Sequence, residues 1–190
     1  ITDSGVSFSI SAKKGDAEIE STIGRKGGLC IYTGTPIPLK YIRKEGKSGN
    51  LKEQLLAVVV EGTRKKLFLP ATEEQEVAFK LASKNNPSVP SLPIDHWAGC
   101  TNCVVYGYDT FDKLYNERQK LALDTLSNEL ADIQKMVFDD AIKCGLTGDD
   151  IGLKDGGKGA KAYSEAIKVY LSFLIDQIAN HSSSFCGWNS

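Results

Sequence analysis

A long helical pattern in the second half of the chain constrains the fold more than any other sequence feature. Between about Asn116 and Cys144, apolar residues recur in alternating steps of three and four, which places them on one face of an α-helix. Gly145 follows and suits the left-handed conformation that commonly ends a helix. The sequence therefore predicts one long helix with a buried face. That face consists of Leu123, Leu126, Leu130, Ile133, Val137, Ala141 and Cys144.

A second long helix is predicted from about Ala160 to Asn180. Residues 169–175 at its centre are apolar nearly all round, so we expect this helix to lie deep in a larger fold. The glycine-rich loop before it, residues 154–159, resembles a phosphate cradle, because consecutive glycines let backbone amides point at an anion. The favoured interpretation is a tight helix entry, in which packing and positive φ angles require the glycines.

The first 70 residues have the pattern of short strands separated by turns. The last two extended segments form a hairpin with its turn at Gly62. Gly46 and Gly49 loosen the link that follows residue 42. This part of the chain is therefore predicted to be β-rich. Extended segments are predicted at residues 6–10, 19–23, 29–32, 37–42, 55–60 and 67–69.

The pattern changes after Pro70. Thr72 and Gln75 form a capping box, which predicts a short helix to about Ser83, and three prolines in residues 87–93 indicate an extended strap. The predicted class is α+β, with an N-terminal antiparallel β-hairpin lobe packed with a C-terminal lobe that contains two long helices. The predicted segments are 1–70 for the hairpin lobe, 71–104 for the short helix and strap, and 105–190 for the helical lobe.

Composition places the chain among ordinary globular proteins, with 41% hydrophobic and 25% charged residues in 190 positions. No apolar stretch approaches the roughly 20 residues of a membrane span, so no membrane partner is expected. The five cysteines are odd in number and scattered, which favours a reducing, cytoplasmic location. The first residues lack an initiator Met and the features of a secretion signal, so we expect the cut end of a longer chain.

A metal site is a weak hypothesis for residues 96–103. Cys100 and Cys103 form a Cys-x-x-Cys pair, and His96 lies four residues upstream. A structural zinc needs four ligands, and no further residue has a spacing that points to this site. Two ordinary reduced cysteines are the favoured interpretation. No catalytic residue is predicted, because neither His96 nor His181 has a nucleophile or carboxylate at a diagnostic spacing.

Charge is unevenly distributed along the chain. Residues 1–66 hold 12 Lys+Arg against 7 Asp+Glu, whereas residues 67–190 hold 11 against 17. Such asymmetry can mark a face that meets phosphates, and basic residues on solvated hairpin turns explain it at least as well. The candidates for DNA contact are Arg25, Lys26, Lys40, Arg43, Lys44, Lys47, Arg64, Lys65 and Lys66.

Several segments together resemble the prokaryotic adenine-specific DNA methylases that carry a zinc ribbon and an N-terminal domain of unknown function. The resemblance covers nearly the whole chain, and the order and spacing of its segments add to their individual specificity. The segments are Thr33–Arg43 with Glu45–Lys47, Leu56–Gly62, Leu67–Pro70 with Thr72–Glu74, Tyr106–Tyr108 with Thr110–Phe111, Arg118–Gln119 with Leu121–Leu123, and Asp155–Gly157 with Gly159–Tyr163.

The resemblance implies an internal segment of a larger S-adenosylmethionine-dependent enzyme, of the kind found in restriction–modification systems. In this family the region lies between the loop that binds S-adenosylmethionine and the Asp-Pro-Pro-Tyr motif that holds the target adenine. Neither motif occurs in this sequence, so the segment alone is predicted to be inactive and to bind no cofactor. We expect an accessory region that helps contact double-stranded DNA. The alternative is a structural or subunit-contact module that docks on the methyltransferase catalytic domain.

One departure from the family concerns zinc. Family members commonly carry Cys-x-x-Cys before Gly-Thr-Pro-Ile-Pro, whereas this chain has Cys30 followed by Thr33. Threonine is not a usual zinc ligand, so no zinc is predicted at Cys30. The resemblance therefore implies that the hairpin lobe is a degenerate zinc ribbon.

Overall fold

The computed structural model describes residue 10, residues 21–63 and residues 65–186. Within these ranges the fold is α+β, with small antiparallel sheets and four α-helices. The hairpin predicted around residues 6–20 and its turn at residues 13–16 lie outside the described residues, apart from residue 10. The elements are β1 (Ile23–Gly24), β2 (Gly27–Leu29), β3 (Pro36–Pro38), α1 (Leu39–Lys47), β4 (Val58–Gly62), β5 (Lys65–Leu69), α2 (Glu73–Ala82), α3 (Glu117–Lys143) and α4 (Ala160–His181).

The chain divides into two compact units. Of the described residues, one unit contains residues 10, 21–63, 65–81 and 92–111, and the other contains residues 82–91 and 112–186. The proline strap, predicted as extended, has no regular element apart from a single bridge between Pro93 and Thr110. Because residues 82–91 belong to the second unit, the chain passes between the units more than once.

In the first unit, β1, β2 and β3 form a three-stranded antiparallel sheet. Gly28 pairs with Ile37, and Gly27 pairs with Pro38. Gly27 has a φ of 141°, and a Cβ at this position would overlap the carbonyl of Ile37. A residue with a side chain would therefore separate β2 from β3.

The extended segment predicted at residues 37–42 is wrong beyond Pro38, because helix α1 begins at Leu39. Pro38 is its N-cap, with a φ of −65° and a ψ of 144°, so the backbone stays extended up to the residue before the helix. Leu39 and Ile42 are half-buried on the side of α1 that packs against β2 and β3. The three-residue spacing of these apolar side chains favours a helix, and it outweighs the preference of the β-branched residues for extended structure.

The hairpin predicted after residue 55 and the helix predicted after Pro70 are both confirmed. The register of β4 and β5 pairs Gly62 with Lys65, so the turn lies just beyond Gly62 rather than at it. In α2 the amide of Gln75 donates to the Thr72 hydroxyl at 3.3 Å, and the Thr72 amide donates to the Gln75 side chain at 2.9 Å. The reciprocal pair is the capping box that the sequence predicts.

The second unit is built on the packing of α3 against α4. Both long helices lie where the sequence predicts them, and a capping box from Asn116 to Gln119 starts α3. Tyr115 donates to the carbonyl of Ala179 at 3.2 Å, and Lys168 donates to Gln134 at 3.1 Å. These bonds join the ends and the middle of the helix pair. The buried side chains in the unit include Leu123, Ala141, Ala160, Ala162 and Ser164.

The predicted burial of the two helices is only partly correct. In α3, Leu123 and Ala141 are buried, whereas Leu126 and Cys144 are exposed. In α4, one side packs on α3, while Tyr170 on another side is 73% exposed. A helix pair can cover only the faces that meet, so an all-round apolar helix keeps an uncovered side. No helix in the described ranges combines the length and apolarity needed to cross a membrane.

Candidate nucleic-acid interface

Four of the nine basic candidates form one row on α1. Lys40, Arg43, Lys44 and Lys47 stand at positions i, i+3, i+4 and i+7, which share one face of a helix. All four are exposed, and they lie opposite the side that packs on the sheet. The row, hereafter the α1 row, places four positive charges within about two turns of one helix.

Among the described residues, no acidic side chain pairs with any member of the α1 row. Glu45, the acidic residue of the same helix, instead accepts a hydrogen bond from the Asn50 amide at 2.6 Å. Lys44 and Lys47 lie in the last turn of α1, where positive charge also interacts favourably with the helix dipole. The row keeps its positive potential available to an external anion.

Arg43 is held at one edge of the row by an aromatic ring. Its guanidinium lies 5.6 Å from the centroid of the Tyr106 ring, a cation–π distance. Tyr106 belongs to the 3₁₀ helix Asn102–Tyr106, against which α1 packs. The contact leaves the Arg43 side chain exposed but reduces the number of rotamers that this side chain can adopt.

The backbone of α1 approaches the backbone of residues 106–107 very closely. A Cβ on Gly46 would overlap the carbonyl of Tyr106, and a Cβ on Gly107 would overlap the carbonyl of Gly46. Gly107 also has a φ of 93°, in the left-handed region. The two glycines let α1 rest directly on the 3₁₀ helix, which fixes the direction of the α1 row.

The other basic candidates lie on different elements. Arg25 and Lys26 occupy the turn between β1 and β2, and both are exposed. Lys26 lines an open cleft that Pro38, the residue before α1, also lines, so the turn lies near the start of α1. Lys65 and Lys66 lie on β5, which packs mainly on β4. Arg64 lies outside the described residues.

The structure does not bring the candidate metal ligands together. His96 and Cys100 are exposed, and Cys103 is half-buried at the start of the 3₁₀ helix Asn102–Tyr106. In the part of the chain that the structure describes, no group of three or more His, Cys, Asp or Glu residues has the geometry to hold a metal ion. The Cys-x-x-Cys pair therefore gains no additional ligand from the described residues.

The glycine-rich loop before α4 is packed against its own chain. A Cβ on Gly157 would overlap the carbonyl of Ile151, and a Cβ on Gly159 would overlap the Thr147 carbonyl and the Asp149 carboxylate. Gly156 has a φ of 78°. The interpretation as a tight helix entry is confirmed, because Gly157 and Gly159 face protein atoms that leave no room for a side chain.

Cys30 lies at the end of β2 in a tight turn. Its amide donates to the Thr35 carbonyl at 2.9 Å, and its carbonyl accepts from the Gly34 amide at 2.8 Å. Hydrogen bonds from the Thr33 side chain, and then from the backbone of Thr33 and Tyr32, lower the pKa of the Cys30 thiol below its ordinary value. Donors directed at the sulfur stabilise the thiolate.

We expect Thr33→Val to raise the pKa of Cys30 by removing the largest of these contributions. The rate of alkylation by iodoacetamide follows the thiolate fraction, so its pH midpoint should move upward in the variant. The exposed Cys144, measured in the same samples by mass spectrometry, should react identically in both proteins. An unchanged midpoint for Cys30 would contradict the assigned hydrogen bond.

Comparison with protein-family models, with curated proteins and with solved structures finds no match for this chain. The exposed basic row of α1 and the exposed apolar side of α4 are the two features of the structure from which we infer a function.

Proposed function

We propose that this chain is an accessory segment of an adenine-specific DNA methyltransferase and that α1 contacts the phosphate backbone of duplex DNA. The observation that carries the proposal is the α1 row, four exposed basic side chains without an acidic partner among the described residues. The sequence resemblance supports the methyltransferase part of the proposal. Methyl transfer itself, and the binding of S-adenosylmethionine, would belong to other parts of the parent enzyme.

The dimensions of the row suit a phosphate backbone. Lys47 lies seven positions after Lys40, a length of about 10 Å along the helix axis at a rise of ~1.5 Å per residue. Phosphates of one DNA strand recur about every 3.4 Å along the duplex, so the row spans about three of them. Such contacts hold a protein on DNA without reading its sequence. We therefore propose a positioning role and assign no base recognition to this segment.

Arg25 and Lys26 extend the proposed contact. Their turn lies near the start of α1, because Lys26 lines the same cleft as Pro38. The fixed approach of α1 to residues 106–107 lowers the entropy cost of ordering the row on DNA. Lys65 and Lys66 have no comparable geometric link to α1, and we leave them out of the proposed interface.

Salt dependence tests the proposal. Neutralising about three phosphates should make the logarithm of the association constant fall with the logarithm of salt concentration at a slope of roughly −3. Fluorescence anisotropy of a labelled duplex, titrated with the chain at several salt concentrations, measures this slope. Binding should be similar for unrelated duplex sequences. No binding at low salt, or a slope near zero, would contradict the proposal.

We also propose that β1–β3 and the turn after Cys30 represent a degenerate zinc ribbon. Support comes from the position of Cys30 at the end of a strand in a tight turn, with backbone amides directed at its sulfur. Thr33, which stands where the family has a second cysteine, also contacts that sulfur.

A further inference from the structure

The outer face of α4 is apolar and uncovered. Tyr163, Val169, Tyr170, Phe173 and Leu174 are 50%, 45%, 73%, 62% and 55% exposed, respectively. At 100° per residue these five side chains fall on one side of the helix, away from the side that carries Ser164 and Leu171 toward α3. We call this group of five residues the α4 face.

Charged side chains are absent from the α4 face. In the described length of α4, the charged residues at positions 161, 165 and 168 lie on the other sides of the helix, and Asp176 lies at the edge of the face, one turn after Phe173. Lys161 is bound to Asp150 at 2.7 Å, and Lys168 donates to Gln134. An uncharged surface rich in tyrosine and phenylalanine has the composition of the buried centre of a protein–protein interface.

The area of the face meets the lower limit for a specific dimer. A whole aromatic side chain presents about 150–250 Å², so the exposed fractions of the three aromatic residues amount to roughly 300–450 Å². Val169 and Leu174 raise the total to about 500 Å². Two such faces together would remove about 1,000 Å² from water, which is near the minimum for a specific interface.

We propose that the α4 face binds the α4 face of a second copy of this chain. In a two-fold contact the same surface meets itself, so a face without charge creates no like-charge repulsion when it is paired with its own copy. Tyr170, near the middle of the face, would lie at the two-fold axis, with Phe173 and Leu174 beside it. The small area is typical of a weak, reversible dimer rather than of an obligate one.

Sedimentation velocity on the complete 190-residue chain, over a range of concentrations, tests this inference. We expect a monomer–dimer equilibrium in the wild type, and at least a tenfold weaker association for Tyr170→Ser and for Phe173→Asp. Both side chains are mostly exposed, so neither variant should lower the melting temperature of the monomer appreciably. Ser172→Asp is the matched control, because Ser172 is exposed on the charged side of the same helix, and it should dimerise like the wild type.

Two results would overturn the inference. One is a chain that stays monomeric at concentrations up to about 500 µM. The α4 face would then bind a different protein, such as the catalytic domain of the parent enzyme. The other is a dimer that both face variants retain, which would place the contact elsewhere on the chain. Neither result bears on the contact of α1 with DNA, so the two proposals fail independently.

Discussion

Replacing Gly107 with alanine is expected to detach α1 from the 3₁₀ helix Asn102–Tyr106 and to lower the free energy of unfolding of the first unit by about 2–4 kcal/mol. Two costs add at this position. The φ of 93° disfavours any residue with a Cβ, and the new Cβ would overlap the carbonyl of Gly46. The backbones must separate, and the support of the α1 row is then lost.

Hydrogen exchange of the α1 amides measures this effect directly. In Gly107→Ala the amides of residues 42–47 should exchange much faster than in the wild type, and duplex binding should weaken in parallel. Gly49→Ala is the matched control, because Gly49 has a φ of 70° but no atom within 4 Å of its Cβ position. Gly49→Ala should lower the free energy of unfolding by only about 1 kcal/mol. Equal exchange in the two variants would contradict the close approach of α1.

Alanine at Gly159 is expected to destabilise the α3–α4 unit by about 2–3 kcal/mol. Gly159 is the N-cap of α4 and has a φ of −84°, so backbone strain plays no part. The cost arises because a Cβ would overlap the Thr147 carbonyl, which accepts the Ala160 amide at 2.8 Å, and the Asp149 carboxylate. The loop must shift and lose this bond.

Thermal unfolding followed by circular dichroism checks this prediction, since α3 and α4 contribute most of the helix. Gly156→Asn is the control, because Gly156 has no atom within 4 Å of its Cβ position and asparagine tolerates its φ of 78°. Gly159→Ala should unfold several degrees below Gly156→Asn. A melting temperature for Gly159→Ala equal to that of the wild type would contradict the packing described for this loop.

Local sequence signals predicted much of the fold. Three of these signals each act over a few residues, so their positions could be read directly from the sequence. They are the capping box at Thr72, the periodic apolar residues of α3 and the left-handed Gly145. The hairpin of β4 and β5 was predicted for the same reason. Its turn was misplaced because Gly62 belongs to the strand register.

Helix α1 was missed because two local signals conflict. Ile37 and Ile42 favour extended structure, whereas Leu39, Ile42 and Gly46 have helical spacing. On a strand, Lys40 and Lys44 would share one face and Arg43 and Lys47 the other, so the α1 row could not be recognised. The basic residues were named as candidates one by one, and the helical period of Lys40, Arg43, Lys44 and Lys47 is the signal that joins four of them on one face.

Other features depend on contacts between residues far apart in the chain. The approach of Gly46 to Gly107 and the contact of Arg43 with Tyr106 need the tertiary fold. The uncovered face of α4 was also beyond prediction, because its sequence shows only that the helix is apolar on most sides. Which side meets α3 depends on how the two helices pack against each other.

The affinity for duplex DNA of two charge-matched variants tests the proposed role of α1 most directly. Lys40→Gln with Lys44→Gln removes two charges from the α1 row, and Lys135→Gln with Lys154→Gln removes two from exposed positions in the second unit. At equal net charge and low salt, the α1 variant should bind a labelled duplex more weakly than the control by on the order of tenfold. Equal affinities for the two variants would show that any binding follows net charge alone, and would contradict a DNA contact at α1.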